Sequence, residues 1–164
     1  EDKEKLDWLN LEKAGVLTFV DKDYVEYELV LEWFLKQREL YRIDSIGFDP
    51  AKAFMLVNEM RGQGFVLNEV RQGELTLTNP LDNLRERFID RNIIHNNNPL
   101  FFWYLGNVKL TKRGPNATYL PTKQNKNRKI DGFAALLTSH TEWMRKHPTY
   151  IAPDQKVSTV LKIN

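Results

Sequence analysis

Ile46-Gly47-Phe48-Asp49-Pro50 is the stretch on which the fold of this chain turns. The apolar run from Ile43 to Phe48 reads as a strand, and it ends abruptly in a carboxylate and a proline. A helical pattern follows from Ala51 to Arg61, with Phe54, Leu56, Val57 and Met60 at packing positions. Gly62-Gln63-Gly64 stops that helix, and Phe65 to Val70 reads as a second strand. A strand–helix–strand unit of this kind implies parallel strands and a right-handed crossover. The fold class is therefore α/β. Ligands in such folds sit beyond the carboxyl ends of the strands, which is where Asp49 stands.

Outward from this unit, a short helix over residues 5 to 14 is closed by Gly15. Tyr24 to Glu39 has helical spacing, with Asp23 as a candidate cap. Asn79-Pro80 opens a helix from about Leu81 to Arg91, because proline suits the first helical position. Ile93-Ile94-His95 reads as a short strand. Asn98-Pro99 starts a helix rich in rings, Phe101 to Tyr104, for which core packing is expected over base stacking. Val108 to Leu110 and Thr118 to Leu120 form a candidate β-pair around Arg113-Gly114-Pro115-Asn116. The last long helix runs from Asp131 to Lys146 and ends before Pro148. A polar tail follows.

A length of 164 residues fits one domain with a substantial core. Absence of cysteine excludes disulfides and thiolate metal sites and fits a reducing compartment. No apolar run approaches the roughly 20 residues that cross a bilayer. No signal-peptide pattern opens the chain. The net charge is +2, but every charged residue from Val108 to Ile130 is basic: Lys109, Lys112, Arg113, Lys123, Lys126, Arg128 and Lys129. Such a stretch is either a solvated loop or a phosphate-facing one.

Two acids carry the candidate chemistry. Asp49-Pro50 and Asp131-Gly132 each precede a helix, so each acid is a candidate N-cap. Each also sits where a carboxylate oxygen faces solvent, and the two roles are compatible. Two-metal phosphodiester hydrolysis gathers several carboxylates around ions about 4 Å apart, and hard oxygen ligands suit Mg²⁺ or Mn²⁺. Other site classes are absent from the sequence. His95, His140 and His147 lack zinc-site spacing. Gly62-Gln63-Gly64 and Arg71-Gln72-Gly73 match neither a P-loop nor a dinucleotide fingerprint, and no nucleophile elbow occurs.

Several segments, in order, resemble the nuclease half of the large terminase subunit of tailed bacteriophages or prophages. They are Leu6-Asp7-Trp8 to Gly15-Val16-Leu17, Ile46-Gly47-Phe48-Asp49-Pro50, and Phe65-Val66 to Val70-Arg71-Gln72-Gly73. Next come Ile94-His95 with Asn98-Pro99, Trp103 and Asn107. Last are Pro121-Thr122-Lys123 and Lys129-Ile130-Asp131-Gly132-Phe133-Ala134-Ala135-Leu136. The resemblance implies an RNase H-like mixed sheet flanked by helices. It implies a partial nuclease domain over residues 6–147 and a tail over 148–164. It further implies endonucleolytic cleavage of concatemeric double-stranded DNA, with Mg²⁺ or Mn²⁺ as cofactor and two ions in the complete site. Asp49 and Asp131 carry over as catalytic metal ligands, and Lys129 lies close enough to meet a phosphate. The implied partners are double-stranded DNA, an N-terminal ATPase domain of the same protein, the portal protein and a small terminase subunit. No membrane is implied, and the setting is the host bacterial cytoplasm.

One departure shapes these expectations. The resemblance implies a first metal-binding aspartate on the first strand, upstream of the Trp8 to Gly15 lead-in, and this chain is expected to start after it. The sheet is thus expected to lack its first strand or strands, with Glu69 or Glu74 as candidate extra carboxylates. The alternative function is a catalytically inactive module that docks DNA or the portal. A more distant one is another RNase H-like nuclease, such as a transposase or resolvase.

Overall fold

Gly47 fixes how closely the layers of this protein meet. A Cβ there would lie 3.0 Å from the Thr138 carbonyl oxygen, 3.1 Å from Val70 Cγ2 and 3.2 Å from Glu142 Cβ. Only a residue without a side chain lets a helix press so closely on a strand. The computed structural model describes residues 6–51, 53–113 and 118–148. Its helices are α1 (Trp8–Lys13), α2 (Tyr27–Leu40), α3 (Phe54–Gly62), α4 (Glu74–Ile89), α5 (Pro99–Gly106) and α6 (Asp131–Lys146). Its strands are β1 (Ile46–Phe48), β2 (Leu67–Glu69), β3 (Val108–Arg113) and β4 (Thr118–Lys123).

β1 and β2 pair in parallel, with Gly47 opposite Asn68, as the strand–helix–strand reading expects. β3 and β4 pair antiparallel, Val108 opposite Lys123 through Arg113 opposite Thr118. Among the described residues the two pairs are separate sheets. Alternation of side chains gives the parallel pair two unlike faces. Ile46, Phe48 and Leu67 pack with Val57, Met60 and Phe65 and with Leu31, Phe34 and Leu35 of α2. Gly47 and Asn68 turn to α6. A second core joins Val70, Leu77, Leu81, Leu84, Phe133 and Leu137, fusing α4 to α6 and reaching Val108 and Leu120 of the hairpin.

α6 spans the expected residues, and α5 starts as expected: Asn98 caps it, its Oδ1 accepting from Leu100 N at 3.0 Å and Phe101 N at 3.2 Å, with Pro99 behind. α4 departs from expectation. It begins at Glu74 and carries Pro80 inside rather than at its start. Proline in a helix interior costs about 3 kcal/mol. Burying Leu77, Leu81 and Leu84, at about 2 kcal/mol each, outweighs that.

α2 begins at Tyr27 behind Glu26, so Asp23 does not cap it. Phe54, an expected packing position, is 75% exposed because it opens α3 on the solvent side. Residues 93 to 95 form no strand, and Ile94 projects into solvent. No residue of α5 is fully buried. Its rings are partly buried at the edge of the core: Phe101 stacks on Phe88, Trp103 meets Trp8 edge-on, Tyr104 lies against Gly132, and of the four rings only Phe102 is exposed, against His95. Residues 114–117, around which the β-pair was expected, and the expected tail beyond Pro148 lie outside the described residues.

Candidate metal and nucleic-acid site

β1 and α6 run antiparallel across their contact. Asp44 O accepts from Lys146 Nζ at 3.1 Å, Ser45 Oγ donates to Glu142 Oε1 at 2.7 Å, and Gly47 faces Thr138. Ascending β1 therefore means descending α6. From Thr138 back to Asp131 is about 10 Å along the helix axis, and from Gly47 on to Asp49 is about 7 Å along the strand. Asp49 and Asp131 thus stand at the same end of the β1–α6 pair, and both are exposed.

Neither acid is the N-cap its sequence context suggested. Asp49 Oδ1 accepts from Ala51 N at 3.0 Å, which closes a turn ahead of α3, and the position before α3 belongs to Ala53. Asp131 is the first residue of α6, behind Ile130, with no side-chain cap bond. The Asp131 side chain makes no hydrogen bond or ion pair with a described residue, and Asp49 Oδ2 makes none either. A carboxylate in the first turn of α6 also lies in the favourable end of the helix dipole. Asp49, Ala134 and Ala135 line one groove of about 960 Å³, while Asp131, a turn earlier, lies outside its lining.

Among the described residues no three His, Asp or Glu side chains gather closely enough to hold a metal ion. Glu69 ends β2 exposed. Glu74 opens α4 and takes Thr118 Oγ1 at 3.1 Å, so it ties α4 to β4. No helix among the described residues is long and apolar enough to cross a membrane.

The basic stretch divides by strand alternation. Lys112 and Lys123 share a face of the hairpin with the half-exposed Tyr119 and Leu110, and Lys112 lies directly opposite Tyr119. Lys109 points to the other face. Arg113 ends β3, and its side chain is outside the described residues. Lys126, Arg128 and Lys129 sit on the loop that leads into α6.

Residues 1–147 match the family described as terminase large subunit, endonuclease domain. The chain belongs to this family. This terminase nuclease chain is 27% identical over 126 residues to Protein YmfN of Escherichia coli (strain K12), covering 76% of this chain and 28% of YmfN. It is also similar to the crystal structure of the HK97 bacteriophage large terminase, with a TM-score of 0.74 at 18% identity. That match covers 83% of this chain and 29% of that one. The chain spans less than a third of the length of either protein. The structural likeness carries the fold, a mixed α/β, RNase H-like one.

Three residues of this terminase nuclease shape the site without having been singled out as site residues in the sequence. Asn107, buried at the end of α5, donates from Nδ2 to Lys129 O at 2.8 Å, and its own carbonyl accepts from Gln124 N at 2.9 Å. It thereby clamps both ends of the basic loop and fixes the approach to Asp131. Tyr104 packs its ring on Gly132. Burial, and then the Asp131 charge, hold its hydroxyl pKa above the ordinary 10.0. Glu142 is 4% exposed and takes Ser45 Oγ and Asn68 Nδ2, each at 2.7 Å, on Oε1. Asn107 belongs to the family pattern, and that was its sequence signal. Glu142 lies on the inner stripe of an amphipathic helix and gave none.

Proposed function

We propose that this chain is the endonuclease part of a DNA-packaging terminase, acting in the host bacterial cytoplasm on concatemeric double-stranded DNA. Residues 6–147 form the working unit. Asp49 and Asp131 hold a divalent cation, Mg²⁺ or Mn²⁺. The observation that carries this reading is the antiparallel β1–α6 contact, which brings both acids to one end, where the Asp131 carboxylate and Asp49 Oδ2 have no hydrogen-bond partner among the described residues.

Two carboxylates fit such a cation. Mg²⁺ is commonly bound through one or two carboxylates and fills its other positions with water and substrate phosphate. A two-ion site takes more carboxylates than these two. When bound, the cation supplies charge for the phosphoryl oxygens and a lowered pKa for an attacking water. Asp49 holds the strand side of the site, its orientation fixed by the Ala51 N–H. Asp131 holds the helix side, with the loop before it steadied by Asn107. Lys129, two residues from Asp131, meets a phosphate of the same strand. The portal protein, the small terminase subunit and an ATPase domain of the same polypeptide complete the machine.

A second reading is favoured by the hairpin. Lys112, Lys123 and Tyr119 on one outward face suit contact with a duplex backbone whether or not cutting occurs. In that reading the chain is a docking module for DNA or the portal, inactive in cleavage.

Supercoiled-plasmid nicking with Mn²⁺ separates the two. Nicking by the 164-residue chain or by the full polypeptide, lost on Asp49→Ala and on Asp131→Ala, supports the nuclease reading. Salt-sensitive duplex binding with no nicking in either form supports the docking one. Nicking that survives both substitutions removes the assignment of Asp49 and Asp131.

A further inference from the structure

Asn107 stands where three pieces of the chain meet. It caps the C-terminal end of α5, it directly precedes β3, and its side chain reaches the residue two before Asp131. From Val108 the chain runs through the β3–β4 hairpin and returns to Lys129 along the loop before α6. All seven basic residues of the stretch from Val108 to Ile130 fall on this excursion.

Two hydrogen bonds of Asn107 close its neck. The Asn107 carbonyl accepts from Gln124 N at 2.9 Å, which carries the hairpin ladder one step beyond Val108 and Lys123. Asn107 Nδ2 donates to Lys129 O at 2.8 Å. Lys129 O can only accept, so the amide nitrogen and not Oδ1 must face it. Asn107 is buried, so water does not stand in for that donor when it is removed.

The return loop is closed on itself around Asn125, whose carbonyl accepts from Arg128 N and whose Oδ1 accepts from Asn127 N, each at 3.1 Å. Beyond the loop, α6 begins without a side-chain cap. A helix start of that kind leaves its first N–H groups without a local partner and is loosely held. The place of its first turn, and of Asp131 on it, is therefore set from outside: by the Tyr104 ring under Gly132 and by Asn107 on Lys129.

We propose that Asn107 is a positioning residue that holds the basic excursion in register with Asp131, so that a cation on Asp131 and the phosphates on the excursion belong to one stretch of the same duplex. The inference deepens the proposed function and rests on its assignment of Asp131 to a divalent cation. It has a thermodynamic consequence. Cation and duplex bind with a shared coupling, each tightening the other, and the coupling passes through the Asn107–Lys129 bond.

Fluorescence anisotropy of a short duplex, with and without Mn²⁺ at matched ionic strength, reads this coupling in the 164-residue chain. Mn²⁺ is expected to tighten duplex binding about fivefold or more, and Asp131→Asn to abolish the gain. Asn107→Leu keeps a branched side chain and removes the donor. It is expected to lose most of the Mn²⁺ gain, while affinity without Mn²⁺ stays within about twofold and the salt slope is unchanged, because no basic residue is lost. Asn107→Ser, one bond shorter and still polar, gives a second, milder removal of the same bond. Leu77→Ala, which thins the core between α4 and α6, is expected to lower stability and keep the gain. A full Mn²⁺ gain in the Asn107 variants overturns the proposal and leaves the cation reading standing. Loss of the gain in Leu77→Ala as well reduces Asn107 to a structural part and also overturns it. So does a parent chain without the gain whose Asp131 NMR signals are nonetheless broadened by Mn²⁺. A parent with neither gain nor broadening overturns the cation reading and the proposal together.

Discussion

Gly132 lies flat against the ring of Tyr104: a Cβ on Gly132 would sit 2.7 Å from Tyr104 Cε2 and closer still to Cδ2. The first turn of α6, which carries Asp131, is therefore seated on α5 by a contact that admits no side chain. Gly132→Ala is expected to destabilise the chain by about 1–3 kcal/mol, the usual cost of overpacking. Urea denaturation measures it. Gly62→Ala, at a position with open space around it, serves as the control and is expected to change stability by less than about 1 kcal/mol. Equal losses in the two variants would remove the steric account.

Tyr104 also reports on Asp131. Burial first, and then the Asp131 charge, raise the Tyr104 pKa above 10.0. Asp131→Asn removes the second cause and leaves the first. The Tyr104 titration, followed by NMR of its ring, is expected to move down toward 10 without reaching it. No movement on substitution would mean that the acid does not face the ring in solution.

His140 is a buried base held neutral. Its Nε2 lies 2.9 Å from Asn83 Oδ1, which also accepts from Arg87 Nε at 3.0 Å, so the imidazole proton belongs on Nε2. Burial, and then the Arg87 charge, lower its pKa below 6.5. As pH falls through the ordinary histidine range, the unfolded chain takes up a proton that the folded chain refuses. Stability from this group is complete above the unfolded pKa and declines as pH falls toward the folded one. His140→Gln keeps a donor for Asn83 and removes the titration. The Tm of the variant is expected to fall less than that of the parent between about pH 7 and pH 5. Parallel Tm curves would assign the acid sensitivity elsewhere.

The hairpin faces make a prediction about DNA. Lys112 and Lys123 lie together on the Tyr119 side, and Lys109 lies on the reverse. If the Tyr119 side meets the duplex backbone, Lys112→Ala with Lys123→Ala lowers the slope of log affinity against log salt by about 2, close to 0.9 per phosphate contact. Lys109→Ala leaves the slope unchanged. Fluorescence anisotropy on a short duplex across a salt series measures both. A larger loss from Lys109 than from the pair would turn the binding face around.

The elements that the sequence announced are those with local causes. α6 begins at Asp131 and ends at Lys146 because its amphipathic pattern and Pro148 are written in consecutive residues. α5 starts where Asn98 and Pro99 supply a cap and a fixed first turn. β1 and β2 are parallel because a helix lies between them. Asp49 and Asp131 were legible in the same way, as acids at the ends of patterned segments.

What tertiary structure alone decided are the matters that depend on distant neighbours. Pro80 reads as a helix start, yet it sits inside α4 because leucines on both sides of it bury against α6. Lys109 and Lys112 look equivalent in a basic run, yet strand pairing sends them to opposite faces. Glu142 looks like one more charge on a helix, yet Ser45, just before β1, and Asn68 of β2 close on it, far away in sequence. Local preference fixes where an element begins. The burial that it gains from the rest of the chain fixes which of its side chains meet, and so where the two acids stand relative to each other.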